Sequence, residues 1–467
     1  MSSCPTSPGS SNADLVQAIS DYTFASAPAP MSEAALICGL ATVGGIAGRA
    51  YNISGTGLAS SYWLAAKSGS GKGIIKRASD KLIHEVSQSV PALLDFIGPS
   101  YLASGQAILK TLAQRPYPNL IIMADEFAHD VREMSNPKNS NALIKEKVYC
   151  EIWSLSGADN VFNAMAYSDD DKNTKPLRAP NVTIVGTSTV HKADEALNGG
   201  LARDGFLSRF NVIEHTGDIP PLNEGHAHNL AKPPAALIHG LTELATEALS
   251  LCQRQAVRQV EIDPEARAYL KDHAEGLRHR RNSISDLASD LLGRNFEKAL
   301  KVAGTWAVGR NIYAPVVTLP IIKWATDWVD YHANRLLAKI DGDEVGEEAG
   351  NETKQQNEVL ALINRYIRSD YSYSAKFHGD CDMHYGGVIT IAHIQQRAGK
   401  LACFRNDRLG ATNAIKRTVK SLTEADILQQ VPLKQMAELF HSRAVAYQAC
   451  DLKALFKEIE RRGLGSR

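Results

Sequence analysis

Three kinds of apolar patterning succeed one another along the 467 residues of the chain. Asp14 to Ala50 spaces its apolar positions as a helix does, and within it Ala34 to Gly48 is an uncharged, glycine-containing run of about 15 residues, short of the roughly 20 that a membrane span requires. That run predicts a buried helix and no membrane span. Tyr51 to Ala66 alternates β-forming residues with Gly and Ser, which predicts paired strands. From there to about Pro220 short apolar runs alternate with helical stretches, and the runs Tyr62–Ala65, Leu120–Ala124 and Asn181–Gly186 read as buried parallel strands with helical crossovers. The expected fold class is therefore α/β.

The pattern then loosens. Pro220 to Pro234 is rich in proline and poor in structure-forming residues, as a linker would be. Ala235 to Ile340 is helical again, with Asp263-Pro264-Glu265 as a helix start and the amphipathic stretch FEKALKVAGTWAV beginning at Phe296. Asp341 to Thr353 is acidic and glycine-rich and marks a second boundary. Beyond it, residues 354–467 show helix, loop, two helices and a short hairpin, which suits a winged helix. These shifts divide the chain into a tail at 1–13, an α/β core at 14–220, a helical domain at 235–340, an acidic linker at 341–353 and a C-terminal domain.

Composition adds limits to this picture. Equal numbers of basic and acidic residues give a formal net charge of zero, so affinity for nucleic acid has to come from local basic patches. The seven cysteines are scattered and form no CxxC pair, which fits free thiols in a reducing, cytoplasmic setting. Met1 to Asn12 is Ser/Pro-rich without a basic n-region and reads as a tail rather than a signal peptide.

The strongest chemical signal follows the strand at Tyr62–Ala65. Ala66-Lys67-Ser68-Gly69-Ser70-Gly71-Lys72-Gly73 stands between a strand and a helix, where a glycine loop wraps phosphates with backbone N–H groups and brings a lysine to the outer phosphoryl oxygens. Ser68, Gly69, Ser70, Gly71, Lys72 and Gly73 are the candidate phosphate contacts. Gly73 stands where a hydroxyl residue normally ligates Mg²⁺, leaving the metal to another carboxylate and to water. A flexible Gly/Ser turn is the plain alternative. About 50 residues beyond the lysine, the apolar strand at Leu120–Ala124 ends in Asp125 and Glu126. Asp125 would hold the metal and Glu126 would polarise an attacking water. The third strand ends in Thr187-Ser188-Thr189, placing the Thr187 hydroxyl where it could reach a terminal phosphate. Next comes Gly205-Phe206-Leu207-Ser208-Arg209-Phe210, with an arginine set between apolar anchors; such an arginine can stabilise a phosphoryl transition state across a subunit interface.

In this order, glycine loop, DE strand, polar-tipped strand and LSRF resemble the ATPase core of AAA+ helicases, particularly the minichromosome maintenance and superfamily-3 replicative helicases. Arg294-Asn295-Phe296-Glu297-Lys298-Ala299-Leu300 resembles the lid helix of the former, and its leading arginine, Arg294, inherits a nucleotide-sensing role by that likeness. The segments YNISGTG, SGSGKG, GPSYLASGQAILKTL, ADEF, RAPNVTIVGTST and DGFLSRF are similar to a group of phage- and mobile-element P-loop proteins of replication-helicase type. The resemblance covers roughly Asp14 to Ile340. It implies ATP and Mg²⁺ as cofactors, a homo-oligomeric, hexameric ring, single-stranded or forked DNA as partner, other replication proteins nearby and a bacterial host.

Two places suggest where DNA would lie. The insert Val161–Arg178 reads as two β-prone arms around a polar tip, in the position of the hairpin that lines the DNA channel in those helicases, with Lys172 and Lys175 as candidate phosphate contacts. An ordinary exposed loop is the alternative, since Asp169 to Asp171 would repel a nucleic-acid backbone. Further on, Lys400, Arg405, Arg408, Lys416, Arg417 and Lys420 fall in about 20 residues with one acid, Asp407, among them. In a helix from near Thr412, Lys416, Arg417 and Lys420 share roughly one face, as a recognition helix would require. His378, Cys381 and His384 lack a fourth ligand at zinc spacing. The leading expectation is thus an ATP-driven DNA helicase or replication initiator. The alternative is a non-translocating ATP switch bound to DNA, such as a helicase loader or regulator, which the missing hydroxyl at position 73 favours through slow turnover.

Overall fold

The computed structural model describes residues 7–8, 14–135, 139–166, 173–197, 205–226, 230–342, 346–374, 380–405, 407 and 410–461. The chain divides into two compact units, 1–339 and 340–467.

The first unit begins with α1 (Leu15–Ser26), started by Asp14, whose buried carboxylate accepts from the amides of Val16 and Gln17. α2 (Ser32–Ala47) is buried from Ala34 to Ala47 and apolar on every side there, as that uncharged stretch after Glu33 demands. Then follow β1 (Tyr51–Ile53), β2 (Thr56–Gly57), β3 (Ser61–Ala65), α3 (Ile74–Ser87), α4 (Gly105–Ala113), β4 (Asn119–Ala124), α5 (Phe127–Met134), α6 (Ser140–Ser154), β5 (Val161–Phe162), β6 (Leu177–Arg178), β7 (Asn181–Ser188), α7 (Val190–Leu197) and β8 (Phe210–Glu214). Four of these strands build one parallel sheet in the order β4-β7-β3-β8. β3 and β4, which carry the glycine loop and the acidic pair, are separated by β7. Every residue of β3, β4 and β7 is buried, so these strands are covered on both faces, with polar residues mainly at their ends, rather than alternating.

The unit continues with α8 (Ala235–Gln253), β9 (Arg258–Gln259), β10 (Glu261–Ile262), α9 (Pro264–Asn282), α10 (Asp286–Leu292), α11 (Asn295–Arg310), β11 (Val316–Val317) and α12 (Leu319–Gly342). Asp263 caps α9 by accepting from the amide of Ala266 at 2.7 Å, with Pro264 at its first position. The sequence predicts a separate helical domain at 235–340, and here the structure differs. α8 and α11 pack on α2, and one core runs from Val16 and Ile37 through Leu244 and Trp306 to Trp328. β9 pairs with β1 in parallel, and the Tyr51 hydroxyl donates to the carbonyl of Ile312 at 3.0 Å. The reason is α2 itself: a helix without a polar face has to be covered all round. The stretch expected as a free linker is also tied down, since Asn223 donates its backbone N–H to Pro28 and Tyr22 donates to the carbonyl of Ala231.

The second unit contains α13 (Gly346–Arg368), α14 (Tyr371–Ser374), α15 (Cys381–Tyr385), β12 (Ile389–Thr390), α16 (Ile391–Ala398), α17 (Ala402–Arg405), α18 (Ala411–Glu424), β13 (Leu428–Gln430), α19 (Leu433–Phe440), β14 (Ala446–Ala449) and α20 (Leu452–Arg461). A three-stranded antiparallel sheet, β12-β14-β13, and α13, α16 and α18 enclose their own core around Leu360, Ile394, Phe404 and Ile415. The acidic stretch expected as a linker is helical from Gly346 onward, because α13 begins there. No described helix is long and apolar enough to cross a membrane.

Candidate nucleotide site

β3 runs straight into the glycine loop, and α3 begins at Ile74 with Gly73 as its cap. Gly69 and Gly71 take positive φ angles, +75° and +86°, and a Cβ on Gly71 would stand 2.6 Å from the carbonyl oxygen of Ala29. Only glycine meets both conditions at that position. Ser68 and Gly69 are exposed, whereas Ser70 is fully buried and its hydroxyl has no partner among the described residues. The amides of Gly69, Gly71 and Lys72 are likewise unpaired by the described backbone. A short loop with free amides at the start of a helix is suited to an anion.

Across β7, β4 ends in Asp125 and Glu126. The Thr187 hydroxyl donates to the Asp125 carboxylate at 2.6 Å, joining the polar tip of β7 to that of β4. Lys72, Gly73, Asp125 and Thr187 line one cavity of about 140 Å³, together with Arg77 and Met123. Strand ends that are not neighbours in the sheet therefore converge on one space, at the carboxyl edge where parallel sheets bind ligands. The cavity falls below the 300–1,000 Å³ that encloses most small ligands, so it suits a chain of phosphates and leaves a nucleoside outside it.

Glu126 stands at the edge of this space. Its backbone is left-handed, with φ +53°, its amide donates to Asp125 at 3.0 Å, and Lys192 Nζ donates to its carboxylate at 2.7 Å. Sequence reasoning missed Lys192; its only signal is its place four residues beyond Ser188 at the end of β7. Ser188 has a structural part, its hydroxyl accepting from Trp63 Nε1 and from the amide of Ala128.

Metal chemistry is possible only with a small donor set. Asp125 and Thr187 supply oxygens and Gly73 supplies none, so a Mg²⁺ beside a triphosphate would lean on Asp125, the phosphates and water. Among the described residues no three His, Cys, Asp or Glu side chains group to hold a metal, and His384 Nε2 is engaged by the carbonyl of Ser369 at 2.8 Å. His378 lies outside the described residues.

Arg209 and Arg294 are far from Lys72 and near each other. Arg209 immediately precedes β8, at the amino edge of the sheet. Its guanidinium turns inward, donating to the carbonyl of Gly205 at 2.6 Å and to Ser154 Oγ at 3.2 Å, with its carbon 5.9 Å from the centre of the Trp153 ring. Burial pushes its pKa down, and the positive charge of Arg294 adds to that. Arg294 caps α11 and reaches Glu297 at 3.3 Å. Between them lies Lys301, with no exposed side-chain surface, donating to the carbonyl of Trp153 at 3.1 Å and to Ser156 Oγ at 2.9 Å.

The candidate DNA contacts separate into two groups. β5 and β6 pair antiparallel, Val161 opposite Arg178, so the described arms of the insert run side by side; Lys175 is exposed on the second arm, and Lys172 lies outside the described residues. On α18, Lys416 and Lys420 are exposed one turn apart, and Arg405 is exposed on α17. Arg417 does not share their face. It turns inward to Asp407 at 3.0 Å and Gln355 at 3.2 Å, because the one acid in the basic stretch draws it toward α13. Arg408 lies outside the described residues.

No protein-family model matches the chain, and no curated protein matches it. Two solved structures of the Aeropyrum pernix ORC2 protein are similar to it, one as ADPNP-ADP complexes and one in its ADP form. Each is 12% identical; the first covers 87% of this chain and 89% of its own, the second 88% and 90%, and both superpose with a TM-score of 0.21. At that score the likeness defines neither fold nor function.

Proposed function

We propose that the chain is an ATP-hydrolysing, AAA+-type protein that acts on DNA during replication, as an oligomeric ring helicase or initiator. One observation carries this reading: Lys72 and Asp125, from non-adjacent strands, line the same phosphate-sized cavity. In it the loop amides hold the triphosphate, Lys72 neutralises its outer oxygens and Asp125, oriented by Thr187, faces the metal. Mg²⁺, when bound, offsets the charge of the phosphates. Glu126, steadied by Lys192, polarises the attacking water.

Arg209 and Arg294 cannot serve that cavity. The five residues of β8 put Arg209 roughly 17 Å from the carboxyl edge of the sheet, and Arg294 is its neighbour. Their shared position supports a role toward the next subunit of a hexameric ring, in which Arg209 rotates outward to the neighbour's phosphates. In the second unit, the order of helices and strands around an antiparallel sheet supports a winged helix, with Arg405, Lys416 and Lys420 facing DNA; the hairpin carrying Lys175 would follow a single strand or fork. Gly73, which offers no hydroxyl, favours a second reading, a slow ATP switch that loads or regulates without translocating.

The test is ATP turnover with and without DNA, with strand displacement on a forked substrate. Turnover that DNA stimulates and that Lys72→Ala abolishes supports the reading; turnover unchanged in Lys72→Ala overturns it. Strand displacement distinguishes a helicase from a switch.

A further inference from the structure

A second cavity of the first unit is larger than the one beside Lys72. A cavity of about 240 Å³ opens at the amino edge of the sheet, between the turn before β4, the base of the β5–β6 hairpin and the ends of α2 and α8. The six residues of β4 put it about 20 Å from Asp125.

Two arginines line it, Arg49 after α2 and Arg178 on β6, and no carboxylate does among the described residues. The Nε of Arg49 is buried without a partner, and neither arginine makes an ion pair among the described residues. The thiol of Cys252 interacts with Arg49, and burial keeps it neutral by pushing its pKa up. The walls also hold strain. Ala179 and Gln255 both line the cavity with left-handed backbones, φ +47° and +52°, which non-glycine residues adopt only where the surroundings impose them. Tyr117 forms an aromatic wall between two prolines.

The C-termini of α2 and α8 end here, and their partial negative charge accounts for one arginine. It does not account for a second, nor for the open volume between them. Two arginines on the wall of a space that no described acid lines suit the oxygens of a phosphate, which arginine binds in a bidentate fork.

From this geometry we infer that the Arg49/Arg178 cavity is a second phosphate site, taking the phosphate of a nucleotide on the two arginines, with the nucleotide's ring resting against Tyr117 and only partly enclosed by a cavity of this size. The same chemistry is offered by a free mononucleotide and by one residue of a single strand. The site is independent of the ATPase reading, since it shares no residue with the Lys72 cavity.

The test uses the full chain carrying Lys72→Ala, so that the other cavity does not dominate. Thymidine monophosphate is titrated calorimetrically and a fluorescent twelve-residue oligothymidylate by anisotropy, each with inorganic phosphate as competitor. Saturable binding of either probe, competed by phosphate and weakened about tenfold or more by Arg49→Gln and by Arg178→Gln, is expected from the loss of one charge-assisted contact each. Binding of the oligonucleotide alone identifies a strand as the source, and binding of the monophosphate identifies a free nucleotide. Arg178 is exposed on a two-residue strand, so its variant folds even where Arg49→Gln does not. Absence of binding by both probes, or binding that Arg178→Gln leaves unchanged, overturns the inference.

Discussion

Lys301 is the sharpest point at which the energetics of the first unit can be tested. Its ammonium has no exposed surface, and burial, partly opposed by Glu297 and reinforced by Arg294 and Arg209, lowers its pKa from 10.5 to about 7. In the unfolded chain the group keeps its ordinary value, so between pH 7 and 10.5 the unfolded state binds more protons than the folded one and stability rises with pH. Below pH 7 the full cost of the buried charge is present; above it the cost is relieved. Integrating from pH 7 to pH 9 with one pKa unit worth 1.36 kcal/mol gives a gain of about 2 kcal/mol. Lys301→Met removes the titrating group and nearly conserves its volume. The variant also loses the hydrogen bonds to Trp153 and Ser156, an offset that does not depend on pH. Lys298, lowered to about 8 by burial, and Cys38, raised to about 11 by burial, titrate in both proteins and cancel in the comparison. Urea unfolding followed by tryptophan fluorescence is the assay. All five tryptophans, at 63, 153, 306, 324 and 328, lie in the first unit, so the signal reports that unit alone. The difference in stability between the two proteins should change by about 2 kcal/mol from pH 7 to pH 9. Parallel pH profiles would refute the reasoning, because Lys301 would then be no harder to charge in the fold than in the unfolded chain.

Other outcomes follow from the same geometry. Gly71→Ala combines a positive φ with a Cβ 2.6 Å from a carbonyl oxygen, whereas Gly69→Ala meets open space. Nucleotide affinity should therefore fall severely in the first and by about 5- to 30-fold in the second, where only the left-handed backbone penalty of roughly 1–2 kcal/mol applies. Equal losses on titration would contradict the loop conformation. Lys416→Gln with Lys420→Gln should weaken DNA binding and flatten its salt dependence by about two units of slope. Arg417→Gln should instead lower the unfolding midpoint of the second unit, since its partners Asp407 and Gln355 are internal; melting and anisotropy curves on the same samples separate the two effects. Thr187→Val frees the Asp125 carboxylate and should lower ATP turnover at saturating nucleotide more than it lowers nucleotide affinity, a split read from steady-state kinetics.

What could be read from the sequence was local. The glycine loop and the acidic pair each announce themselves at a strand end, and parallel strands that share a carboxyl edge bring Lys72 and Asp125 together whichever strand lies between them. That β7 is the strand between them, and that Thr187 thereby meets Asp125, depends on sheet order, which no short motif encodes. Side-chain orientation was equally hidden. Arg417 and Lys420 look alike by helical spacing, but Asp407 and Gln355, at sequence distances of 10 and 62, decide that one points inward. The inward turn of Arg209 toward Ser154 has the same origin. The expectation of a separate helical domain failed because proline-rich punctuation marks a change of local pattern, not the edge of a core.

The pairing of β1 with β9 has a consequence for biosynthesis. Residues 51 and 258, neighbours in that ladder, leave the ribosome about 200 residues apart, which at 5–20 residues per second is an interval of roughly 10–40 seconds. During it the hydrophobic second helix has no cover on the side that α8 and α11 will occupy. A nascent chain of this length is thus a substrate for holding chaperones, and an expression fragment cut at the proline-rich stretch near 220 would enter the insoluble fraction even though it carries every residue of the phosphate loop.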